Sequence, residues 1–434
     1  MASMSSVTVS SATPVGQTKA YAILAGSWGA WLFDAMDAAV FSFVMLAISH
    51  SFHTQLSSVV GTMAWFLLAT GIGGYFLGNI SDYIGRKPTI LISVFIYGVG
   101  TILCGTSHSL IELNMYRFVV GIAVGGLWSG AASLVSEVWK PEGRAKALAV
   151  LQTGWSGGNL LAAIFAWSIL GSNHTASAWR ELFYISSIPA FLVFIYCLFF
   201  VNESPVWIEN KDFIRKNNRS QNIFEIFDPK YFRQTLLALV ISVLAMIGYW
   251  LIETFAPTYL QNILNINIGQ APIFLVWTGI GGIVGYLVYG VLAERIGRRH
   301  SFAFFFFFMV IILPLFTFTV SHMSLTHGKL LLSGSNVVTL GLVSALVGFG
   351  TGYFAGFGAW YAELFPTSIR STASGFCFNF GRVGAIFGIL AVPHLIKPLG
   401  FSLTISIGAV AYLLAGLLVY TLRETKGTVI TSDN

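Results

Sequence analysis

Apolar runs of about 20 residues recur along the whole chain, at roughly 22–47, 58–81, 88–107, 112–136, 146–170, 180–201, 234–260, 272–293, 301–321, 337–361, 372–393 and 401–422. A helix of that length rises about 30 Å, the thickness of a bilayer's hydrocarbon. In lipid each backbone amide must be bonded within its own segment, so runs of this kind fold as spanning helices. The expected fold is therefore all-α, a membrane protein with twelve transmembrane helices. Composition agrees: 56% of the 434 residues are hydrophobic and 9% charged, the mean hydropathy is +0.77, and soluble domains carry roughly 25% charged residues. The formal net charge of +6 is no nucleic-acid signature, because the basic residues fall in short clusters between the runs. The expected surrounding is the lipid bilayer, with no nucleic-acid partner.

Those clusters also set the orientation. Lys19, Arg86, Lys87, Lys140, Arg144, Lys146, Arg215, Lys216, Arg298, Arg299, Arg370 and Arg423 lie in the tails and the even-to-odd loops, whereas Arg180, Lys329 and Lys397 lie in the others. By the positive-inside rule both termini are expected to be cytoplasmic, in a multi-pass protein of the cell membrane. Residues 1–19, rich in Ser, Thr and Val and without a basic n-region or cleavage site, read as a disordered cytoplasmic tail. The longest polar stretch, 202–231, reads as a cytoplasmic linker with an amphipathic piece around Phe224–Phe227. It would separate two six-helix bundles, 20–201 and 232–422, with a second short tail at 423–434. Cys104, Cys197 and Cys377 each sit in an apolar run and read as packing residues. The eight histidines map to loops or helix ends, no Cys/His metal spacing or nucleotide-binding loop appears, and no enzyme chemistry is expected. A monomer is expected.

Internal repetition supports the two halves. Gly78-Asn-Ile-Ser-Asp82-Tyr-Ile-Gly85-Arg86-Lys87 after the second run matches Gly290-Val-Leu-Ala-Glu294-Arg-Ile-Gly297-Arg298-Arg299 after the eighth. A second pair follows the fourth and tenth runs, Glu137 with Arg144 and Glu363 with Arg370. Glycine permits a tight turn, and the acid–arginine pairs can form charge-assisted bonds. With these residues the chain resembles the major facilitator superfamily of transporters over essentially its whole length. The resemblance implies two pseudo-symmetric six-helix bundles with a ligand between them near the midplane. It also implies that Gly78, Asp82, Gly85, Arg86, Glu137, Arg144, Glu294, Arg298, Glu363 and Arg370 form a cytoplasmic gate, closed when the outside is open. The bland alternative is that they anchor helix ends and set topology.

Ionisable residues inside the runs call for a functional account, since an acid or base at a helix centre costs about 2.5–3.5 kcal/mol on insertion scales. Asp34 and Asp37 stand three residues apart on one face of the first helix. Poorly solvated carboxyls hold protons more tightly unless a cation is near, which suits a proton carrier. Arg117 opens Arg117-Phe-Val-Val-Gly121-Ile-Ala-Val-Gly125 on the fourth helix, similar to the motif of proton-linked members. Depth matching pairs Arg117 with Asp37. Arg382, mid-way along the eleventh helix, has no acid on its own helix, and a guanidinium pairs bidentately with a carboxylate that a substrate would bring. Asn379 lies one turn earlier on the same face. A rival partner is Glu253 on the seventh helix, a candidate proton-coupling residue beside Asp34, Asp37 and Arg117; that helix also carries Tyr249, Trp250 and a Pro257 expected to kink it. Gln152, Trp155 and Asn159 on the fifth helix and Tyr353 and Phe357 on the tenth complete a candidate aromatic pocket, although such aromatics more often serve packing.

Asp34-Ala-Met-Asp37 resembles the Asp-x-x-Asp element of the aromatic-acid and the sialate or lactate proton symporters, with Ala35-Met36 where Gly-Phe is common. Asn202-Glu203-Ser204-Pro205 and Arg423-Glu424-Thr425-Lys426-Gly427 resemble loop motifs of sugar porters and their organic-ion relatives, but the seventh helix lacks their Gln-rich run. The fifth helix lacks the Gly-Pro element of drug antiporters. The resemblance thus implies proton-coupled symport of a small organic anion, a monocarboxylate, a sialate-like sugar acid or an aromatic acid, with no cofactor beyond the coupling proton. The alternatives are a neutral-solute facilitator such as a sugar uniporter, and a solute sensor on the same scaffold.

Overall fold

A computed structural model describes residues 16–170, 177–216, 222–264, 272–323 and 335–430. In chain order the helices are α1 (Gln17–Ser51), α2 (Leu56–Ile84), α3 (Arg86–Thr106), α4 (Leu110–Val138), α5 (Pro141–Leu170), α6 (Ala178–Phe200), α7 (Pro205–Lys216), α8 (Pro229–Leu264), α9 (Pro272–Ile296), α10 (Arg298–Ser321), α11 (Ser335–Gly350), α12 (Phe354–Leu364), α13 (Arg370–Ser406) and α14 (Gly408–Leu418). Local chemistry sets several of these ends. Proline at the first position of α5, α7, α8 and α9 is pre-shaped for a helix and wastes no amide there. The Ser109 hydroxyl caps α4 by accepting from the Glu112 amide at 3.2 Å. A single residue, Gly85, separates α2 from α3, and Gly297 separates α9 from α10. Their φ values of 122° and 95° make both turns a glycine position.

Ten helices, among the described residues, are long and apolar enough to cross a membrane. The remaining two expected runs, 146–170 and 372–393, lie in α5 and α13, which are 30 and 37 residues long. Both carry polar side chains along their length, Gln152, Ser156 and Asn159 on α5 and Asn379 and Arg382 on α13. In the packing, α5 lies on α1 and α9, and α13 on α2 and α8. Large apolar residues such as Ile111, Phe199 and Phe387, 71%, 72% and 72% exposed, form the outer surface that a bilayer covers.

The first six helices pack as α1 on α5 and α6, α2 on α4, and α3 on α4 and α6; the later ones pack as α8 on α13 and α14, α9 on α11, and α10 on α14. Two seams join these sets, α2 against α13 and α5 against α9. At the first seam a side chain on Gly74 would lie 2.6 Å from the Gly375 carbonyl oxygen, so small residues let the backbones touch. The linker lies across the end of this seam. Tyr75 of α2 donates to the Ile223 carbonyl at 3.0 Å, Trp207 of α7 donates from its indole to the Asp82 carbonyl at 2.8 Å, and Ile226 is fully buried.

Two breaks interrupt the later helices. A 3-10 turn at Thr351–Tyr353 divides the tenth expected run into α11 and α12. Gly400, with φ 75° and ψ 168°, marks the corner inside α13 where the eleventh run gives way to the twelfth. Residues 1–15 of the expected N-terminal tail lie outside the described residues, α1 already beginning at Gln17. The bend expected at Pro257 likewise concerns a side chain outside the description.

Candidate functional site

A narrow recess is lined by Trp31, Gln152, Trp155, Met246, Tyr249, Trp250, Phe354, Phe378 and Arg382. It draws on α1, α5, α8, α12 and α13, so both sets of helices build it. Arg382 is 3% exposed. Its guanidinium lies 5.7 Å from the Trp31 ring, 5.4 Å from Trp155 and 5.3 Å from Phe378, inside the range of cation–π attraction. Among the described residues Arg382 makes no ion pair, and neither Trp31 nor Trp250 finds a partner for its indole N–H. Trp155 donates its own to the Tyr249 hydroxyl at 3.1 Å. The recess is therefore rich in donors and aromatic faces and poor in acceptors, which suits an anionic, flat-sided occupant.

Two carboxylates stand behind it on α1. Asp37 accepts from the Arg117 Nη1 at 2.6 Å and from the Thr101 hydroxyl at 2.7 Å. Arg117 is fully buried, with Phe41 and Phe66 rings 4.8 and 4.7 Å from its guanidinium carbon. Asp34 is 1% exposed and neither of its oxygens has a hydrogen-bond partner.

At the end of the bundle that carries the Gly85 and Gly297 turns, a lattice of ion pairs ties the two sets of helices together by exchange. Arg370 of α13 reaches Glu137 of α4 at 2.6 Å, and Arg144 of α5 reaches Glu363 of α12 at 2.9 Å. Each acid also binds the arginine of its own half: Glu137 holds Arg86 at 2.9 Å and Glu363 holds Arg298 at 2.8 Å. Asp82 bonds Arg86 at 2.9 Å and accepts from the Ser371 and Thr372 amides at 3.0 and 2.8 Å, at the start of α13. Glu294 repeats this on the other side, bonding Arg298 at 3.4 Å and accepting from the Ala145 amide at 2.8 Å, at the start of α5. Acids at helix N-termini neutralise free amides and the dipole.

A third layer comes from the linker and the tail. Glu203 accepts from the Arg86 and Lys87 amides at 3.1 Å each, and Glu424 from the Arg298 and Arg299 amides at 2.8 and 3.0 Å. Thr425, the residue after Glu424, also donates its hydroxyl to the central acid Glu363 at 2.6 Å. Burial pushes the Glu203 carboxyl above its ordinary range despite the surrounding amides. Around Glu424 burial pushes the same way, but the amides of Arg298, Arg299, Lys426 and Thr425 outweigh it and hold the carboxyl low.

The family model described as Major Facilitator Superfamily matches residues 27–328 and 238–432. The chain belongs to the major facilitator superfamily. Among its relatives in that superfamily are the cis,cis-muconate transport protein of Acinetobacter baylyi, 28% identical with 90% of this chain and 91% of the relative covered, and the sialic acid transporter NanX of Escherichia coli, 27% identical with 90% of each covered. The solved structure of the proton:xylose symporter XylE bound to 6-bromo-6-deoxy-D-glucose superposes with a TM-score of 0.78 over 96% of this chain and 99% of that one, at 17% identity, a likeness of fold. This is a transporter of the superfamily, with the all-α membrane fold expected from its sequence.

Against that fold the residues singled out in the sequence divide into three groups. Arg382, Gln152 and Tyr249 line the recess, and Arg117 and Asp37 meet as a pair. The ten residues of the repeated loops gather at the lattice end. Asn379, Tyr353, Phe357 and Asn159 do not line the recess. Asn379 is fully buried at the α2–α4–α13 crossing, donating to the Gly125 and Gly375 carbonyls at 3.2 and 3.1 Å. Tyr353 bonds Tyr412 at 2.9 Å, and Phe357 packs in tilted and edge contacts with Phe302, Tyr361 and Phe378. Glu253 is partly buried on α8 and, among the described residues, forms no ion pair with Arg382. Trp31, Met246 and Phe354 were not singled out. Trp31 was within reach of the sequence, since it stands one turn before Asp34 on the same helical face.

Proposed function

We propose that this transporter is a proton-coupled symporter that carries a small organic anion, a monocarboxylate or an aromatic or sugar acid, into the cytoplasm by alternating access. It works as a monomer in the cell membrane with both termini cytoplasmic and with the proton as its coupling ion, needing no cofactor. The observation that carries the reading is Arg382: a cation buried in the recess, framed by three rings, with no acid bonded to it among the described residues. A permanent cation in such a place is costly unless an anion joins it. The names of relatives that carry muconate and sialic acid favour the same substrate class. The distribution of basic residues favours the orientation. With the lattice end facing the cytoplasm, its ion pairs hold the inside closed, and rocking of the halves would part them while opening the recess inward.

Purified protein in proteoliposomes with an imposed inward proton gradient, offered radiolabelled benzoate, cis,cis-muconate, N-acetylneuraminate and lactate, tests the proposal. Accumulation of at least one of them above equilibrium, abolished by a protonophore, is the expected result. Uptake that ignores the gradient, or uptake of xylose or glucose in place of every acid, would overturn it in favour of a neutral-solute facilitator.

A further inference from the structure

The two aspartates of α1 are not equivalent. Asp37 is saturated: one oxygen takes the Thr101 hydroxyl and the other the Arg117 guanidinium. Removing its charge would strand Arg117, whose Nε and Nη2 are already without partners. Asp34 is the reverse, equally buried with both oxygens unbonded. The cation that α13 brings to this face of α1 is Arg382, its guanidinium 5.7 Å from the ring of Trp31, one turn before Asp34, and among the described residues it bonds no acid. Asp34 thus feels the guanidinium without holding it, and the recess leaves the guanidinium open to a carboxylate that can approach along the aromatic faces.

We propose that Asp34 and the substrate carboxylate are alternative counter-ions of Arg382, and that Asp34, not Asp37, takes up the coupling proton. This rests on the organic-anion reading above. With the recess empty, Asp34 is the α1 carboxyl left to balance Arg382, since Asp37 is already paired with Arg117. When a carboxylate bonds the guanidinium, Asp34 faces a second negative charge and loses its compensation, so its neutral form is favoured. A proton from the solvent on the open side bonds one Asp34 oxygen, and the recess then holds one cation, one carboxylate and one carboxylic acid. Departure of the substrate on the other side restores the guanidinium to Asp34, and the proton leaves to that side's water. One proton moves with each carboxylate, and a monoanion crosses with no net charge.

The other groups around Asp34 do not upset this exchange. On its own helix the neighbour is Asp37, already paired; α4 brings Arg117, committed to Asp37; α3 brings the Tyr97 hydroxyl, on which Asp34 acts; α13 brings Arg382. The charged residues of the other helices packed on α1 stand at helix ends, Asp82 on α2, Glu142, Arg144 and Lys146 on α5, and Arg180 and Glu181 on α6. None of these is placed to serve as the counter-ion.

Infrared difference spectroscopy of the carboxylic-acid C=O band, on the whole protein in nanodiscs, tests the proposal. On acidification without ligand, a band is expected that is lost in Asp34→Asn and kept in Asp37→Asn and Glu253→Gln. At fixed neutral pH, benzoate should make the same band grow, and the growth should be absent in Asp34→Asn and Arg382→Gln. Asp34→Glu, which keeps the carboxyl, should restore the band and guards against an Asn variant that fails to fold. A band lost in Asp37→Asn or Glu253→Gln and retained in Asp34→Asn overturns the assignment, even if proton-driven anion uptake stands. A band on Asp34 that benzoate, cis,cis-muconate and lactate all leave unchanged, with none of them bound, sinks the exchange together with the anion reading. Bound benzoate with an unmoved band sinks the exchange alone.

Discussion

Arg382 concentrates what a single side chain can decide here. A lysine in its place keeps the charge but loses the planar fork that grips a carboxylate and the flat face that rests against Trp31, Trp155 and Phe378. Arg382→Lys should therefore weaken anion binding by about tenfold or more, equivalent to ~1.4 kcal/mol, as read by quenching of the recess tryptophans; unchanged affinity would show that the guanidinium does not contact the anion. Tyr249→Phe tests the opposite wall. It removes the acceptor for the Trp155 indole, a bond worth about 0.5–1.5 kcal/mol to the fold, and should lower the melting temperature slightly and, by loosening that wall, lower affinity severalfold. The sequence made Arg382 conspicuous because an arginine in an apolar run has no cheap explanation. It made Asn379 conspicuous for the same reason, yet Asn379 is spent on the backbone carbonyls of Gly125 and Gly375. The donor side of an amide can be taken up by the carbonyls of a helix crossing, while the many N–H groups of a guanidinium are harder to place there, a distinction that spacing along one helix does not convey.

Among the elements, the α2–α13 seam depends on small residues. At Gly375 a side chain would press on the Gly74 backbone, with Ser129 Cβ 3.0 Å away. Gly375→Val should cost about 1–3 kcal/mol of overpacking and push α2 from α13, lengthening the distance between spin labels at the exposed positions Tyr83 and Ile296 in pulsed electron resonance; an unaltered distance would mean that the seam yields elsewhere. The helix-capping acids respond to pH in opposite directions. Glu424 is held low by the amides of α10 and the tail, against burial. A carboxyl whose folded value is depressed gives stability that is complete above its unfolded value near about 4.3 and is lost as pH falls through the folded value. The melting-temperature gap between the natural protein and Glu424→Gln should accordingly be present at pH 7 and close on acidification. Glu203, raised by burial, should instead be relieved by the same fall in pH. Apolar periodicity announced nearly every helix. It did not announce that Glu203 and Glu424 would cap α3 and α10, because those partners lie more than a hundred residues apart in the chain and only the closed fold brings them together.

For the molecule as a whole, the repeated loops foretold two similar halves, and the ion-pair lattice shows how such halves hold each other. Each central acid is shared between an arginine of its own half and one of the other. Removing one partner of a buried pair typically costs about 3–5 kcal/mol, and since ~5.5 kcal/mol suffices to turn a 1:99 equilibrium into 99:1, Glu137→Gln with Glu363→Gln should move most molecules to a form open at the lattice end. Labelling of a cysteine placed at the buried Ser133 by a membrane-impermeant maleimide should rise from slow to rapid in that variant, and continued protection would mean that apolar packing alone keeps the end shut. The exchange also bears on biosynthesis. While the chain is being made, Glu137 has Arg86 but must wait for Arg370, and Arg144 must wait for Glu363, so the early half enters the bilayer with its charges only partly matched. Two fragments translated separately and parted within the linker should then find each other in the membrane, guided by mutual neutralisation as well as by shape.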